Sequence, residues 1–331
     1  MAFDRSTIHV YAGAETGGLF RKAIDDHQWQ ALTRGLPQPA EVRAIAVHPQ
    51  HSELVFAGTQ DGPYRSQDGG DSWERLNFPG PERVVWSFTF HPADARVIYC
   101  GTAPGAVFRS DDSGDHWKRL PTDPGPDVVR MEFPTRTIAM AIDPAHLAYL
   151  YVALEVGGVI RSLDGGETWQ AINQGLAPNV GLLDLHGIQV SAAQPDSVFI
   201  SVRAGLLRSP DRGEHWEPID LSNTSPITYC RDLRLAPDNP RTLYVSLGQA
   251  ARSAAGALVR SRDLGMTWER VDRGLSPKST MMAVALTARQ PTCVYACTRD
   301  GEVFGTHDDG VTWGEFPLPT GTQEVRALAC G

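Results

Sequence analysis

The chain has 331 residues, 41% of them hydrophobic and 21% charged, which is an ordinary composition for a folded protein with a sizeable core. Its formal net charge of −9 argues against nucleic acid as a partner, because phosphate binding needs a basic face. No apolar run reaches membrane-spanning length, and the opening MAFDRSTIHVYAG lacks the regions of a signal peptide, so we expect a cytoplasmic protein without a membrane partner.

In chain order, the first predicted elements are the strands IHVYAG and GLFRK, followed by an eroded turn that reaches Trp29. The next segment, Val42 to Leu76, contains four short strands (VRAIAV, LVFAGT, PYRS and WERL) separated by turns rich in Gly, Pro and Asp. The same order recurs along the chain until VRALAC, a first strand with no unit after it. Four short strands per unit predict an all-β propeller.

One turn is repeated in the units, with the core Ser-x-Asp-x-Gly-x-x-Trp, as at Ser66, Asp68, Gly70 and Trp73. A catalytic group is needed once, so a turn that recurs is structural. The aspartate can accept backbone N–H bonds, the glycine permits positive φ, and the tryptophan buries apolar surface between units. The period, about that of a propeller blade, is set by seven tryptophans: Trp29, Trp73, Trp117, Trp169, Trp216, Trp268 and Trp313.

The two ends of the chain complement each other. The chain begins with second and third strands and ends with a first strand. Residues 324–330 are therefore predicted to complete the blade begun by residues 8–32, which removes the open sheet edges. The prediction is a single seven-bladed propeller over residues 1–331.

These repeats resemble the Asp-box (BNR) repeats of sialidase-like propellers. A repeat in every blade, clearest in GGVIRSLDGGETW, is similar to those of xyloglucan-degrading glycosidases, the sortilin ectodomain and photosystem II assembly-factor-like proteins. The resemblance implies the fold but not the activity, since these relatives include enzymes, receptors and assembly factors. The Arg-Ile-Pro motif of many sialidases is absent, and one propeller is present where the xyloglucan-degrading members resemble two in tandem. No catalytic residue is transferred.

If the repeated turn joins the third and fourth strands, the opposite face holds the beginnings of the innermost strands. We call the residue at each such beginning a mouth position. Alignment on the apolar residues that follow gives seven mouth positions: Arg43, Trp86, Ile138, His186, Arg231, Met282 and Arg326. The residues two places earlier include Glu41, Arg136, Asp184, Tyr229 and Glu324. Loops of this face add Glu15, Asp61, Glu155, Arg203, Arg299 and Asp300, and three irregular segments (121–136, 173–187 and 248–257) are expected beside them.

The arginines of this face suit a carboxylate, sulfate or phosphate. The predicted substrate-binding residues are Arg43, Trp86, Arg136, Tyr229, Arg231 and Arg326. The predicted catalytic residues, for proton transfer, are His186, Asp184, Glu41 and Glu324. In the competing interpretation the arginines pair with Glu41, Glu324 and Asp232 and merely line a wet channel.

The functional prediction is therefore a hydrolase or lyase, glycosidase-like in kind, acting without a cofactor on a small anionic or sugar-like substrate. The alternative is a binding or assembly-factor propeller that docks a protein partner through the same face. His48, His91 and Asp143 precede turn prolines in three consecutive units and are a candidate metal set, but turn chemistry is the favoured interpretation and no metal is predicted. Cys293 and Cys297 lie roughly 13 Å apart on a strand, so reduced thiols are expected.

Overall fold

A computed structural model describes residues 4, 6–81, 83–123 and 125–331. The first residues, which the signal-peptide prediction concerns, lie partly outside this description, as does Pro124 of the segment 121–136. In the described ranges, no helix is long and apolar enough to cross a membrane.

The secondary structure is almost wholly short strands. The first eleven are β1 (His9–Thr16), β2 (Leu19–Ala23), β3 (Gln30–Leu32), β4 (Val42–Val47), β5 (Val55–Thr59), β6 (Gly62–Ser66), β7 (Glu74–Arg75), β8 (Val84–His91), β9 (Asp94–Ala103), β10 (Val107–Ser110) and β11 (Lys118–Arg119). Next are β12 (Arg136–Ile142), β13 (Leu150–Glu155), β14 (Gly158–Ser162), β15 (Gln170–Ala171), the helix α1 (Val180–Leu183), β16 (Leu185–Val190), β17 (Val198–Val202), β18 (Gly205–Ser209) and β19 (Glu217–Ile219). The last are β20 (Tyr229–Leu235), β21 (Leu243–Gly248), β22 (Gly256–Ser261), β23 (Glu269–Arg270), β24 (Met281–Leu286), β25 (Val294–Thr298), β26 (Val303–Thr306), β27 (Gly314–Glu315) and β28 (Gln323–Cys330).

The strands of the described residues form seven four-stranded antiparallel sheets, which are the blades. Blade 1 has the order β28-β1-β2-β3, and blades 2 to 7 each take four consecutive strands, from β4–β7 to β24–β27. The innermost strands β28, β4, β8, β12, β16, β20 and β24 contact one another in that order, and β24 contacts β28. Val10 of β1 lies opposite Cys330 of β28. The seven-bladed propeller closed by its C-terminal strand is confirmed.

The core lies between adjacent blades rather than inside any one of them. Trp73 of blade 2, for example, is buried in a cluster with Tyr11 and Leu32 of blade 1. A short four-stranded sheet cannot bury both faces alone, so each blade depends on its neighbours. Stability is therefore distributed around the ring.

The repeated turn is closed by hydrogen bonds among its own residues. Ser66 Oγ donates to Asp68 Oδ1 (2.7 Å) and accepts from the backbone N–H of Gly70 (2.7 Å). Asp68 Oδ1 also accepts from the N–H of Ser72 (2.8 Å). Gly70 has a φ of +103°, a conformation that side chains other than glycine rarely adopt. The Trp73 indole N–H donates to Gly70 O (3.0 Å), so the polar groups of the turn satisfy one another, as predicted.

Candidate functional site

Seven β-bulges shape one end of the central channel. Val42 pairs with Thr59 and Ala44 with Gly58, so Arg43 between them has no cross-strand partner. The same skip in register isolates the other mouth positions: Trp86, Ile138, His186, Arg231, Met282 and Arg326. A bulge bends its strand and re-aims the extra side chain. All seven side chains line a narrow channel of about 130 Å³, so the structure brings the predicted mouth positions together.

A larger cavity of about 560 Å³ adjoins this channel and shares His186, Arg231 and Arg326 with it. Its described lining residues are Met131, Phe133, Arg136, Glu155, Asp184, His186, Arg203, Tyr229, Arg231, Gln249, Ala250, Ala251, Arg252, Arg299 and Arg326. We call it the arginine cavity, because six arginines face only two carboxylates among these residues. Its volume lies in the range of small-ligand sites.

The rim of the arginine cavity comes from the irregular segments predicted at this face. Met131 and Phe133 precede β12, and the residues 249–252 belong to the expanded connection between β21 and β22. Arg252 and its neighbours were expected only as part of that insert. No sequence signal marked Arg252 individually as a lining residue.

His186 is the buried acid–base group of the cavity, with a side chain that is 1% exposed. Its Nδ1 lies 2.6 Å from Cys230 O, and since a carbonyl only accepts, Nδ1 carries the hydrogen. The other nitrogen, Nε2, lies 3.3 Å from the Tyr229 hydroxyl and 3.6 Å from Asp184 Oδ1. The backbone thus orients the ring so that its basic nitrogen faces Tyr229 and Asp184.

The two neighbours of His186 are held in opposite protonation states. Burial raises the pKa of Asp184, but the neighbouring His186 and the positive charges of Arg231 and Arg203 outweigh it, so this pKa lies below its ordinary value. Burial raises the pKa of Tyr229, against the opposing charge of Arg231. At neutral pH the site therefore contains an ionised carboxylate and a neutral phenol, both beside Nε2 of the imidazole.

The arginines are partly neutralised within the site. Arg136 donates to Glu155 (2.6 Å) and lies with its guanidinium 4.0 Å from the ring centre of Phe133 and 4.3 Å from that of Trp86. The guanidinium of Arg231 lies 3.9 Å from the same Glu155. It therefore does not pair with the adjacent Asp232, which is its partner in the competing interpretation. Burial and the repulsion of Arg231 lower the pKa of Arg326, a sign of crowded positive charge. The cavity therefore favours an anionic ligand.

Two of the four catalytic candidates lie elsewhere on the rim. Glu41 accepts from Arg43 (2.5 Å), and Glu324 pairs with Arg326 (3.0 Å) and with Arg299. In the described structure neither carboxylate is hydrogen-bonded to His186. Of the three predicted catalytic carboxylates, Asp184 is the one that lies beside the imidazole.

The residues of the candidate metal set act as turn residues. His48 Nδ1 accepts from the N–H of His51 (3.1 Å), His91 Nδ1 from that of Ala93 (3.3 Å), and Asp143 Oδ1 from that of Ala145 (2.8 Å). Within the described residues, the groups with metal-ligand spacing are two others: Asp143 with His146 and Asp196, and Glu155 with Asp184 and His186.

Comparison with known proteins assigns the chain to a family. The family model of the DUF6242 beta propeller domain matches residues 4–296. The chain belongs to this family. The DUF6242 propeller is 26% identical over 319 residues to a xyloglucanase of Paenibacillus sp, a match covering 79% of this chain and 30% of that protein. The chain spans about a third of the length of the curated relatives it matches.

Two solved structures show the same architecture. The GH74 xyloglucanase from Xanthomonas campestris superposes with a TM-score of 0.66 at 21% identity, over 88% of this DUF6242 propeller and 47% of that chain. YCF48 bound to D1 peptide superposes with a TM-score of 0.59 at 18% identity, over 85% of this chain and 82% of that chain. At these identities the likeness establishes the propeller fold.

Proposed function

We propose that this propeller is a hydrolase or lyase that acts on a small anionic or sugar-like substrate in the arginine cavity. The observation that carries the proposal is the convergence of six arginines with His186 in one cavity of about 560 Å³. Arginine binds carboxylate, sulfate and phosphate through paired N–H donors, and a positioned imidazole transfers protons near neutral pH.

Substrate binding falls to the arginines that keep free donors. Arg203 is exposed at the cavity wall, and its side chain makes no hydrogen bond or ion pair with another described residue. Arg231 is 92% buried at its side chain, with Glu155 as its nearest carboxylate at 3.9 Å. A substrate anion between Arg203 and Arg231 would gain charge-assisted hydrogen bonds in a setting with little competing water.

Proton transfer falls to His186 Nε2. In a hydrolase this nitrogen accepts a proton from the attacking water and returns it to the leaving group, and in a lyase it accepts the proton from carbon. Asp184 stays ionised and stabilises the imidazolium that forms, while the neutral Tyr229 hydroxyl can donate to Nε2 or to the substrate. Glu41 and Glu324 have the role of holding Arg43, Arg299 and Arg326 in place.

The relatives favour a glycosidic substrate. The Ser-x-Asp-x-Gly-x-x-Trp turns have the Asp-box pattern, and the matching xyloglucanases and the GH74 structure are glycosidases by name. An acidic sugar unites that likeness with the positive charge of the arginine cavity. The proposed substrate class is therefore a carbohydrate or related compound that carries a negative charge.

The test is thermal stabilisation by glucuronate, galacturonate, citrate and phosphate, with glucose as the uncharged control. We expect an acidic compound to raise the melting temperature of the native protein and of Arg96→Ala, whose arginine lies exposed beside Asp94 outside the cavity. The shift should be lost in Arg203→Ala and Arg231→Met. Turnover of chromogenic glucuronides should then disappear in His186→Gln while the ligand shift persists. Absence of any shift, or a shift retained in both cavity variants, refutes the proposal.

A second candidate function is docking of a protein partner at the same face. It is supported by the likeness to YCF48 bound to D1 peptide, of which the chain covers 82%, and by Met131, 47% exposed at the cavity rim. This candidate predicts capture of a defined partner that weakens in both Met131→Ser and Arg203→Ala, with no response to the small compounds.

A further inference from the structure

A second polar cluster lies at the opposite end of the strands from the arginine cavity, between blades 4 and 5. Asp143 and His146 belong to the turn between β12 and β13, and Asp196 belongs to the turn between β16 and β17. One possible ligand atom from each of the three lies within 4.8 Å of the others. The repeated turn and the proposed catalytic machinery use none of them.

The atoms of this cluster lie close enough together to share one ion, and a hydrogen bond already joins two of the three residues. Asp143 is fully buried, and its Oδ1 caps backbone N–H groups while Oδ2 lies 3.2 Å from His146 Nδ1. Asp196 Oδ1 is buried without a hydrogen-bond partner among the described residues. The His146 ring stacks on Tyr149 at 4.8 Å between centres, which orients the imidazole. Of the two carboxylates, Asp196 has the Arg212 guanidinium 3.4 Å from its Oδ1, and Asp143 has no arginine or lysine as an ion-pair partner among the described residues.

Tyr151 provides a second observation at the seam between blades 4 and 5. It is fully buried, and its hydroxyl has no hydrogen-bond partner among the described residues. A buried tyrosine hydroxyl normally finds an acceptor, as that of Tyr11 does in blade 1 at Gly69 O (2.9 Å). Burial raises the pKa of Tyr151, so the hydroxyl keeps its proton at neutral pH and needs an acceptor.

A chain of contacts between blades 4 and 5 connects Tyr151 to the cluster. Tyr151 is the cross-strand partner of Arg161, whose guanidinium donates to Arg212 O (2.7 Å). The backbone N–H of Arg212 in turn donates to Asp196 O (2.7 Å). The unpartnered hydroxyl and the three candidate ligands therefore belong to one small region.

We propose that Asp143, His146 and Asp196 bind a divalent transition-metal ion, best matched by Zn²⁺, which joins blades 4 and 5. Imidazole with carboxylates is a ligand set that zinc accepts, whereas calcium prefers oxygen ligands alone. Water completes the coordination, and a metal-bound water or carboxylate oxygen gives the Tyr151 hydroxyl its missing acceptor. Arg212 Nε lies 3.4 Å from Asp196 Oδ1 and competes with the ion for that carboxylate.

The test is titration of the EDTA-treated, dialysed protein with ZnCl₂ by calorimetry, with melting temperature measured in parallel. We expect one ion at this site and a higher melting temperature. His146→Gln and Asp196→Asn should each weaken binding about tenfold or more, and Arg212→Gln should strengthen it because the competing cation is gone. His51→Gln is the matched control, since His51 occupies the equivalent turn position of blade 2 and should not affect binding.

Three results would overturn the proposal. One is no zinc binding by the native protein, and another is equal loss in His51→Gln and His146→Gln. The third is loss in His186→Gln with His146→Gln unaffected, which would place the ion in the arginine cavity instead. His146 is 44% exposed, so its replacement leaves the fold intact and each result can be interpreted.

Discussion

Removing one hydroxyl from a repeated turn should lower stability and leave the ligand site untouched. In blade 4, Ser162 Oγ accepts from the buried N–H of Gly166 (2.8 Å) and donates to Asp164 Oδ1 (2.8 Å). Ser162→Ala leaves that N–H without an acceptor, which costs about 2 kcal/mol. For 331 residues the unfolding entropy is about 0.7 kcal/mol/K, so we expect the melting temperature to fall by about 3 °C.

Calorimetry measures this change, and ligand affinity is measured on the same samples. Ser162→Thr is the control, because Thr306 occupies the equivalent place in blade 7 and its hydroxyl accepts from the N–H of Gly310 (3.0 Å). The threonine variant should keep most of the stability. A melting temperature unchanged in Ser162→Ala would show that the hydroxyl does not hold the turn. Loss of ligand binding at full stability would show that the turn takes part in function.

Three further predictions concern acid, packing and thiols. Hydrogen bonds from Thr168 lower the pKa of Asp164 to about 2, and those from Thr312 do the same for Asp308. These folded-state pKa values lie below the unfolded value of about 4, so the stabilisation is fully present above pH 4 and is lost as the pH falls toward 2. In the double variant Asp164→Asn and Asp308→Asn, the melting temperature should therefore fall less steeply between pH 4 and pH 2. Gly101→Ala should cost about 1–3 kcal/mol in chemical denaturation, since the new Cβ would lie 2.6 Å from Thr137 O, whereas Gly105→Ala, with nothing nearer than 3.5 Å, should be tolerated. Burial raises the pKa of each of the five free cysteines. Ellman's reagent at pH 8 should therefore react slowly with the native protein, whereas after denaturation it should react readily with all five thiols.

The blades were predictable because their signals are local. In blade 2, for example, the serine, aspartate, glycine and tryptophan of the turn lie within the eight residues from Ser66 to Trp73 and hydrogen-bond within that turn. Ring closure followed from counting first strands. The mouth positions followed from the apolar residues after them, since inward-facing residues of a strand recur every second place.

Contacts between distant segments could not be predicted in the same way. In VRAIAV nothing marks Arg43 as a bulge, because the skip depends on how Thr59 and Gly58 of the next strand pair with it. The partner of Arg231 was expected next to it at Asp232, but the nearest carboxylate is Glu155, on another blade. Carboxylates at similar strand positions look alike in sequence, and only the packing of the loops decides which arginine each one meets.

The seven bulges set the mouth positions apart from the strand pairing that holds each blade together. A bulged residue has no cross-strand partner, so replacing it disturbs no pair in the ladder. At these positions the chain already carries arginine, tryptophan, isoleucine, histidine and methionine, while the turns at the far end stay nearly uniform. The propeller therefore has seven positions around one axis whose side chains can change without altering the pairing of the strands.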